Sequence, residues 1–289
     1  MSAPSLLATS DLHVSHRGNQ AVLDRIRPRA DGDWLIVAGD VAEKVDTIEW
    51  ALRTLRDRFE QVLWVPGNHE LWTTADDEVT LRGAHRYDHL VELCRGLGVL
   101  TPEDPYPVWE TDTESLVVAP LFLLYDYSFR PTGTTLQQAV DHAYDTHVVC
   151  TDEVLLHPDP HEDRRSWCRQ RVEATLPRLE AIPEDASTVL ISHWPLRHEP
   201  TLRLRYPQFA IWCGTELTSD WHRRFRAVAE VHGHLHIPVT DHVDGVPFED
   251  VSLGYPREWK RYTTDPDPVH SIVPPAPERT FEELVRAHQ

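Results

Sequence analysis

Positive charge is scarce in this chain. Its 28 Lys and Arg face 47 Asp and Glu, for a formal net charge of -19 at pH 7. A nucleic-acid partner needs a basic face, so the balance argues against one. It also means that an anionic substrate must be held by local positive charge, from metal ions or clustered Arg, against the field of the whole molecule. Cysteine is scarce too. Cys94, Cys150, Cys168 and Cys213 show no CxxC spacing, which predicts reduced, mostly buried thiols rather than a disulfide framework. No apolar run approaches the ~20 residues of a membrane span. The first such run, residues 6–8, is too short for the core of a signal peptide, so a cytoplasmic location without membrane contact is expected. Internal repeats and low-complexity tracts are lacking as well.

What is present suits one large α/β (α+β) domain. The 289 residues are 40% hydrophobic and 26% charged, ordinary values for a globular protein. Strand patterns occupy residues 5–10, 34–38 and 61–65, with helical periodicity at 45–59 and 78–97. Farther on, residues 116–125, 188–192, 228–231 and 246–253 read as strands, and residues 133–149 and 164–180 as helices. Two layers of strands flanked by helices follow from this pattern, over residues 1–262. Residues 263–289 are Pro-rich and read as an extended tail with a short helix at 278–288. Several of the ten Trp fall in loop-like stretches (Trp72, Trp194, Trp212, Trp221, Trp259), where packing of loops onto the core is the expected role.

Polar clusters stand where the strands stop: Asp11-Leu12-His13, Gly39-Asp40, Gly67-Asn68-His69-Glu70, Ser192-His193 and Gly233-His234-Leu235-His236. Parallel sheets gather ligand sites at the carboxyl ends of their strands. Any one cluster is weak evidence, but five in succession would converge above one sheet edge. Carboxylates and an amide packed among imidazoles carry a large desolvation cost unless cations are present. Mixed His, Asp and Asn donors suit two divalent ions of the Fe, Mn, Zn or Co type rather than Ca.

These five blocks, in this order, resemble the calcineurin-like metallophosphoesterase superfamily. The resemblance implies a four-layer α/β/β/α sandwich and a dinuclear-metal phosphoester hydrolase with Fe or Mn the favoured pair. It implies one ion on Asp11, His13 and His236, a second on Asn68, His193 and His234, and Asp40 bridging both. Such ions lower the pKa of water and neutralise charge on phosphate oxygens. His69 matches the non-liganding position that protonates the leaving oxygen or stabilises the transition state. Glu43 matches an acid that orients this His in some relatives; Glu70 is an alternative.

Strings outside the metal blocks narrow the resemblance. Phe122-Leu123-Leu124-Tyr125-Asp126-Tyr127, Trp212-Cys213-Gly214-Thr215, Asp220-Trp221-His222 and Gly254-Tyr255-Pro256-Arg257-Glu258-Trp259 are similar to actinobacterial 4'-phosphopantetheinyl hydrolases. The substrate implied is the phosphodiester that joins a Ser of an acyl or peptidyl carrier protein to its pantetheine arm. Alternatives are a phosphatase or phosphodiesterase for a small molecule, such as a nucleotide, and a non-catalytic metal-binding scaffold. Carrier proteins are usually acidic, so docking onto this acidic chain calls for a basic rim. Arg197, Arg203 and Arg205, or Arg223, Arg224 and Arg226, are the candidates, unless they pair internally with the abundant acids.

Overall fold

The computed structural model describes residues 3–111, 114–261, 263 and 266–286. In chain order the elements are β1 (Leu6–Thr9), α1 (Arg17–Leu23), β2 (Trp34–Val37), α2 (Val45–Arg56), β3 (Gln61–Trp64), α3 (Asn68–Leu71) and α4 (Gly83–Leu97). There follow β4 (Val108–Glu110), β5 (Ser115–Pro120), α5 (Leu136–Asp145), α6 (Asp152–Leu155), α7 (Arg164–Glu180) and β6 (Ser187–Ile191). The chain continues through α8 (Trp221–Arg224), β7 (Ala227–His232), β8 (Thr240–Val243), β9 (Val246–Asp250), α9 (Pro256–Trp259), β10 (His270–Val273) and α10 (Phe281–Arg286).

The strands form two sheets, ordered β10-β1-β2-β3 and β4-β5-β6-β7-β9-β8. Pairing is parallel from β1 to β3 and from β5 through β6 and β7 to β9; β10, β4 and β8 add antiparallel edges. The two-residue period of a strand decides which layer each side chain joins. Leu6, Ala8, Ile36, Ala38, Leu63 and Val65 meet Val118, Val189, Ile191 and Val231 in a core between the sheets. Their neighbours Leu7, Leu35, Val37, Val62 and Trp64 point the other way, into the helical layer. The result is the expected four-layer sandwich.

Helix α2 lays Ile48, Ala51, Leu52 and Leu55 on the first sheet; Asp46 in its first turn and Arg53 and Arg56 in its last complement the helix dipole. Helix α4 starts five residues later than its periodicity suggests. Asp77 Oδ1 accepts the Val79 amide (3.0 Å), a local side-chain turn that competes with helix. It ends at Gly98 with φ 74°, a left-handed cap. The buried run at residues 116–125 stops being strand at Pro120. All four cysteines are buried and unpaired. Described residues beyond 262 are tied to the domain at two points: β10 closes one edge of the first sheet, and the Arg279 guanidinium donates to the Asp250 carbonyl (2.9 Å). Among the described residues, no helix is long and apolar enough to cross a membrane.

Candidate metal centre

Asp11, Asp40 and Asn68 lie just past the carboxyl ends of β1, β2 and β3, and His193 and His234 just past those of β6 and β7. The two sheets meet there, because Ser10 pairs with Ser252 just beyond β9. The turns that aim these side chains are strained. Asp11, His13, Asp40, His234 and His236 all have positive φ, between 41° and 68°, a region non-glycine residues rarely occupy. Glycine is required beside them: a Cβ on Gly233 would stand 2.0 Å from Ser10 Oγ and 2.3 Å from Asp11 Oδ2.

Seven side chains present donor atoms to a common centre. His236 Nε2 lies 3.0 Å from Asp11 Oδ1 and 3.2 Å from His13 Nε2. On the other side, Asn68 Oδ1 lies 3.1 Å from His193 Nε2 and 3.2 Å from His234 Nδ1. Between the groups, Asp40 Oδ2 is 3.9 Å from His13 Nε2 and 3.4 Å from His193 Nε2. Asp11 with His13 and His236, and Asp11 with Asp40 and His193, are close enough to share an ion. All seven expected donors are therefore brought together.

Most of the atoms facing away from the centre are already engaged. Asp11 Oδ2 accepts from the His234 amide (3.0 Å) and Ser252 Oγ (2.8 Å). Asp40 Oδ1 accepts from the His69 amide (2.9 Å). His193 Nδ1 faces the Ala38 carbonyl (2.8 Å), and His236 Nδ1 faces Glu258 Oε2 (2.7 Å). Asn68 Nδ2 donates to the fully buried Asp152 (3.0 Å), which turns Oδ1 of the amide inward. Two imidazole nitrogens 3.2 Å apart, beside buried carboxylates, are a poor arrangement for protein alone and a good one around cations. The residues fit two divalent ions.

His69 and Glu43 sit beside this set, Nδ1 to Oε1 at 2.9 Å. Burial pushes the Glu43 carboxyl up, yet hydrogen bonds from His69 and Ser15 outweigh it and hold the group down to about 2. Burial pushes His69 down, but the Asp40 charge and the Glu43 bond raise it above the ordinary histidine range. Glu70 is occupied elsewhere. Its carboxylate accepts the backbone amides of Asp40 (2.9 Å), Val41 (2.8 Å) and Gly67 (2.9 Å), pinning the turn after β2 to the turn after β3. Burial pushes it up to about 7.

A family model described as calcineurin-like phosphoesterase matches residues 4–238. The chain belongs to the calcineurin-like phosphoesterase family. It is therefore a metal-dependent phosphoester hydrolase. Among curated proteins, the acyl-carrier-protein phosphodiesterase PptH of Mycobacterium tuberculosis is 52% identical over 259 residues, 89% of this chain and 80% of that protein. The crystal structure of phosphopantetheinyl hydrolase (PptH) from Mycobacterium tuberculosis superposes with a TM-score of 0.92 at 50% identity, covering 96% of this chain and 98% of that one.

Other residues of this calcineurin-like phosphoesterase reach the site without having stood out as site residues. Tyr255 stacks on His13 (ring centroids 4.4 Å apart, planes at 19°), and its hydroxyl is 3.3 Å from His69 Nε2. Its place in the Gly254–Trp259 string was the available signal. Trp72 covers the His69 ring at 3.7 Å, while Trp194, Trp212, Trp221 and Trp259 are buried packing residues. Glu258, Ser252 and Asp152 act through single polar bonds to the donor set, and nothing in local sequence marks such bonds. The centre opens onto a cleft of about 920 Å³, walled by residues 146–151, 204–206 and 257–258 with Phe209, Tyr255 and Arg261.

Proposed function

We propose that this chain hydrolyses the phosphodiester joining 4'-phosphopantetheine to a serine of an acyl or peptidyl carrier protein. The observation that carries the reading is the match to the phosphopantetheinyl hydrolase. It extends over nearly the whole of both chains at 50% identity, in a protein whose seven donors converge as that chemistry requires. Asp11, His13 and His236 would hold one ion and Asn68, His193 and His234 the other, with Asp40 within reach of both. Fe and Mn are the favoured pair, with Zn or Co compatible with the same donors. Bound there, the ions supply Lewis acidity that activates water and neutralises phosphate charge.

The chain's own residues do the rest. In the overall step an oxygen from water bonds to phosphorus as the bond from phosphorus to the serine oxygen breaks. His69, held by Glu43 through Nδ1, presents Nε2 to the cleft and gives the proton the departing serine oxygen needs. Glu43 holds the imidazole in orientation and favours its protonated form. Tyr255, whose hydroxyl burial keeps protonated, adds a hydrogen-bond donor beside His69. Trp72 and Tyr255 shield this corner from bulk water. The products are a carrier with a free serine hydroxyl and 4'-phosphopantetheine. Such a reaction belongs in the cytoplasm, where carrier proteins are loaded.

The test incubates the purified protein with Mn²⁺ or Fe²⁺ and a holo carrier protein and follows carrier mass. Loss of the whole phosphopantetheine arm is expected. An unchanged carrier, together with rapid release of inorganic phosphate from nucleotides, would replace this reading with that of a small-molecule phosphatase.

A further inference from the structure

The charge along the cleft runs against that of the molecule. Five of the six candidate rim arginines are engaged inside the protein. Arg197 pairs with Glu199, Arg203 with Asp241, Arg223 with Asp244 and Arg224 with Glu180. Arg226 donates to the carbonyls of Ala186 (2.8 Å) and Pro183 (2.9 Å). Arg205 differs: it is exposed, lines the cleft, and among the described residues its guanidinium has no ion pair and lies over the Tyr206 ring, 5.5 Å from the centroid.

Two further arginines lining the cleft share this state. Arg257 is exposed and lies over the Tyr255 ring at 5.1 Å. The nearest acid among the described residues, Glu258, presents Oε1 to it at 4.0 Å, while its Oε2 takes His236 Nδ1 and the Tyr255 amide. Arg261 lines the same cleft and is exposed. Outside the donor cluster, Glu258 is the one acid among the described lining residues. In a chain with 47 acids and 28 basic residues, this is a local reversal of sign. Val149 and Tyr206, 67% and 55% exposed, stand at the same mouth.

We propose that the rim made by Arg205, Arg257 and Arg261, with Val149 and Tyr206, is the docking face for the acidic body of the carrier protein. The proposal rests on the carrier-protein reading above and adds to it the surface that selects the partner. The phosphodiester lies at the carrier's own surface, so the carrier must come to the cleft mouth for its phosphate to reach the donor cluster. The three guanidiniums then face carrier carboxylates. Among the described residues Arg205 and Arg261 have no ion pair and Arg257 has only the 4.0 Å one with Glu258, so docking gives up little. The two exposed apolar side chains supply the dry centre that a charged rim lacks. Elsewhere the acidic surface repels the same partner, so the rim sets orientation as well as attraction.

The experiment compares the triple variant R205E/R257E/R261E with wild type on two substrates, a holo carrier protein and bis(4-nitrophenyl) phosphate, both with Mn²⁺. The variant should lose at least about tenfold in kcat/KM on the carrier, mainly through KM, and lose most of its salt dependence, whereas turnover of the small diester stays within about twofold. The Lys triple variant should recover most of the carrier activity. Arg169→Glu, a single charge reversal at an exposed site on α7 to be set against R205E alone, should leave carrier KM unchanged. Carrier kinetics unchanged in the triple variant, an equal fall on both substrates, or a cost from Arg169→Glu equal to that of R205E would overturn the docking face. A wild-type protein that cleaves the small diester yet never releases the arm would overturn the carrier reading itself, and the docking face with it.

Discussion

At the scale of single residues, the site depends on side chains that can face only one way. The Asn68 amide offers an oxygen and a nitrogen, and only the oxygen can bind a cation. Asp152, fully buried, accepts from Asn68 Nδ2 at 3.0 Å and from Trp72 Nε1 at 2.7 Å, so it fixes the amide and the ring over His69 together. Groups that orient a ligand commonly contribute ~10–100-fold in metal affinity. Asp152→Ala is expected to reduce bound metal from two ions per chain toward one, measured by elemental analysis after dialysis; two tightly held ions would show that Asp152 does not orient the ligand. His69→Ala should keep both ions and still lose ~10²–10⁴-fold in turnover of a chromogenic diester, with Glu43→Gln losing less. Activity within about threefold of wild type in His69→Ala would remove it from the proton-transfer role. The donors themselves were legible, because each follows a run of apolar strand residues and ends it with a polar group. Asp152, Glu258 and Ser252 were not, being 84, 22 and 241 positions from the residues they touch. The choice between Glu43 and Glu70 was equally hidden, since a one-residue neighbour and a partner 26 positions away look alike until the chain is folded.

At the scale of elements, one buried cation ties several loops to the helices. Arg86, on α4, has no exposed surface. Its guanidinium donates to the carbonyls of Glu70 (2.7 Å), Val79 (3.0 Å) and Glu43 (2.7 Å) and to Asp77 (2.8 Å). The backbone that carries Glu43 is thereby held from below. Removing one partner of a buried pair leaves the other charge uncompensated, at a cost of ~3–5 kcal/mol. Arg86→Ala should lower the urea midpoint by a corresponding amount and weaken catalysis through Glu43 and His69; a midpoint matching wild type would mean that water replaces the guanidinium without loss. The central strands were readable because they are continuous apolar runs with parallel neighbours on both sides. The edges were not. Strands β4, β8 and β10 are three or four residues long with mixed burial, so their place is decided by backbone pairing to a distant partner rather than by pattern. The rim arginines divide in the same way, because whether a guanidinium is free depends on which acids fold beside it.

At the scale of the molecule, the donor cluster stands where the two sheets join. Asp11, His13, Asp40 and Asn68 follow strands of the first sheet, and His193, His234 and His236 follow strands of the second. Ligand that binds only the folded form adds stability by mass action, ~2.7 kcal/mol per site at a hundred times its dissociation constant. Chelation should therefore lower the melting temperature of the wild-type protein, and re-addition of Mn²⁺ should restore it. The same treatment should leave Asp40→Asn, already deficient in ions, almost unchanged. Identical melting of chelated and metal-loaded wild type would contradict the ligand assignment.

Because that junction is stitched from both sides, a pair of ions bound there would act as a rivet through the sandwich and do more than furnish a reaction centre. Withdrawing it frees the far ends of five strands at once, so amide exchange should quicken in parallel at the tips of β1 to β3 and of β6 and β7, with the opposite rim of the sheets staying quiet. Metal supply would then govern how long the protein survives as well as how fast it works.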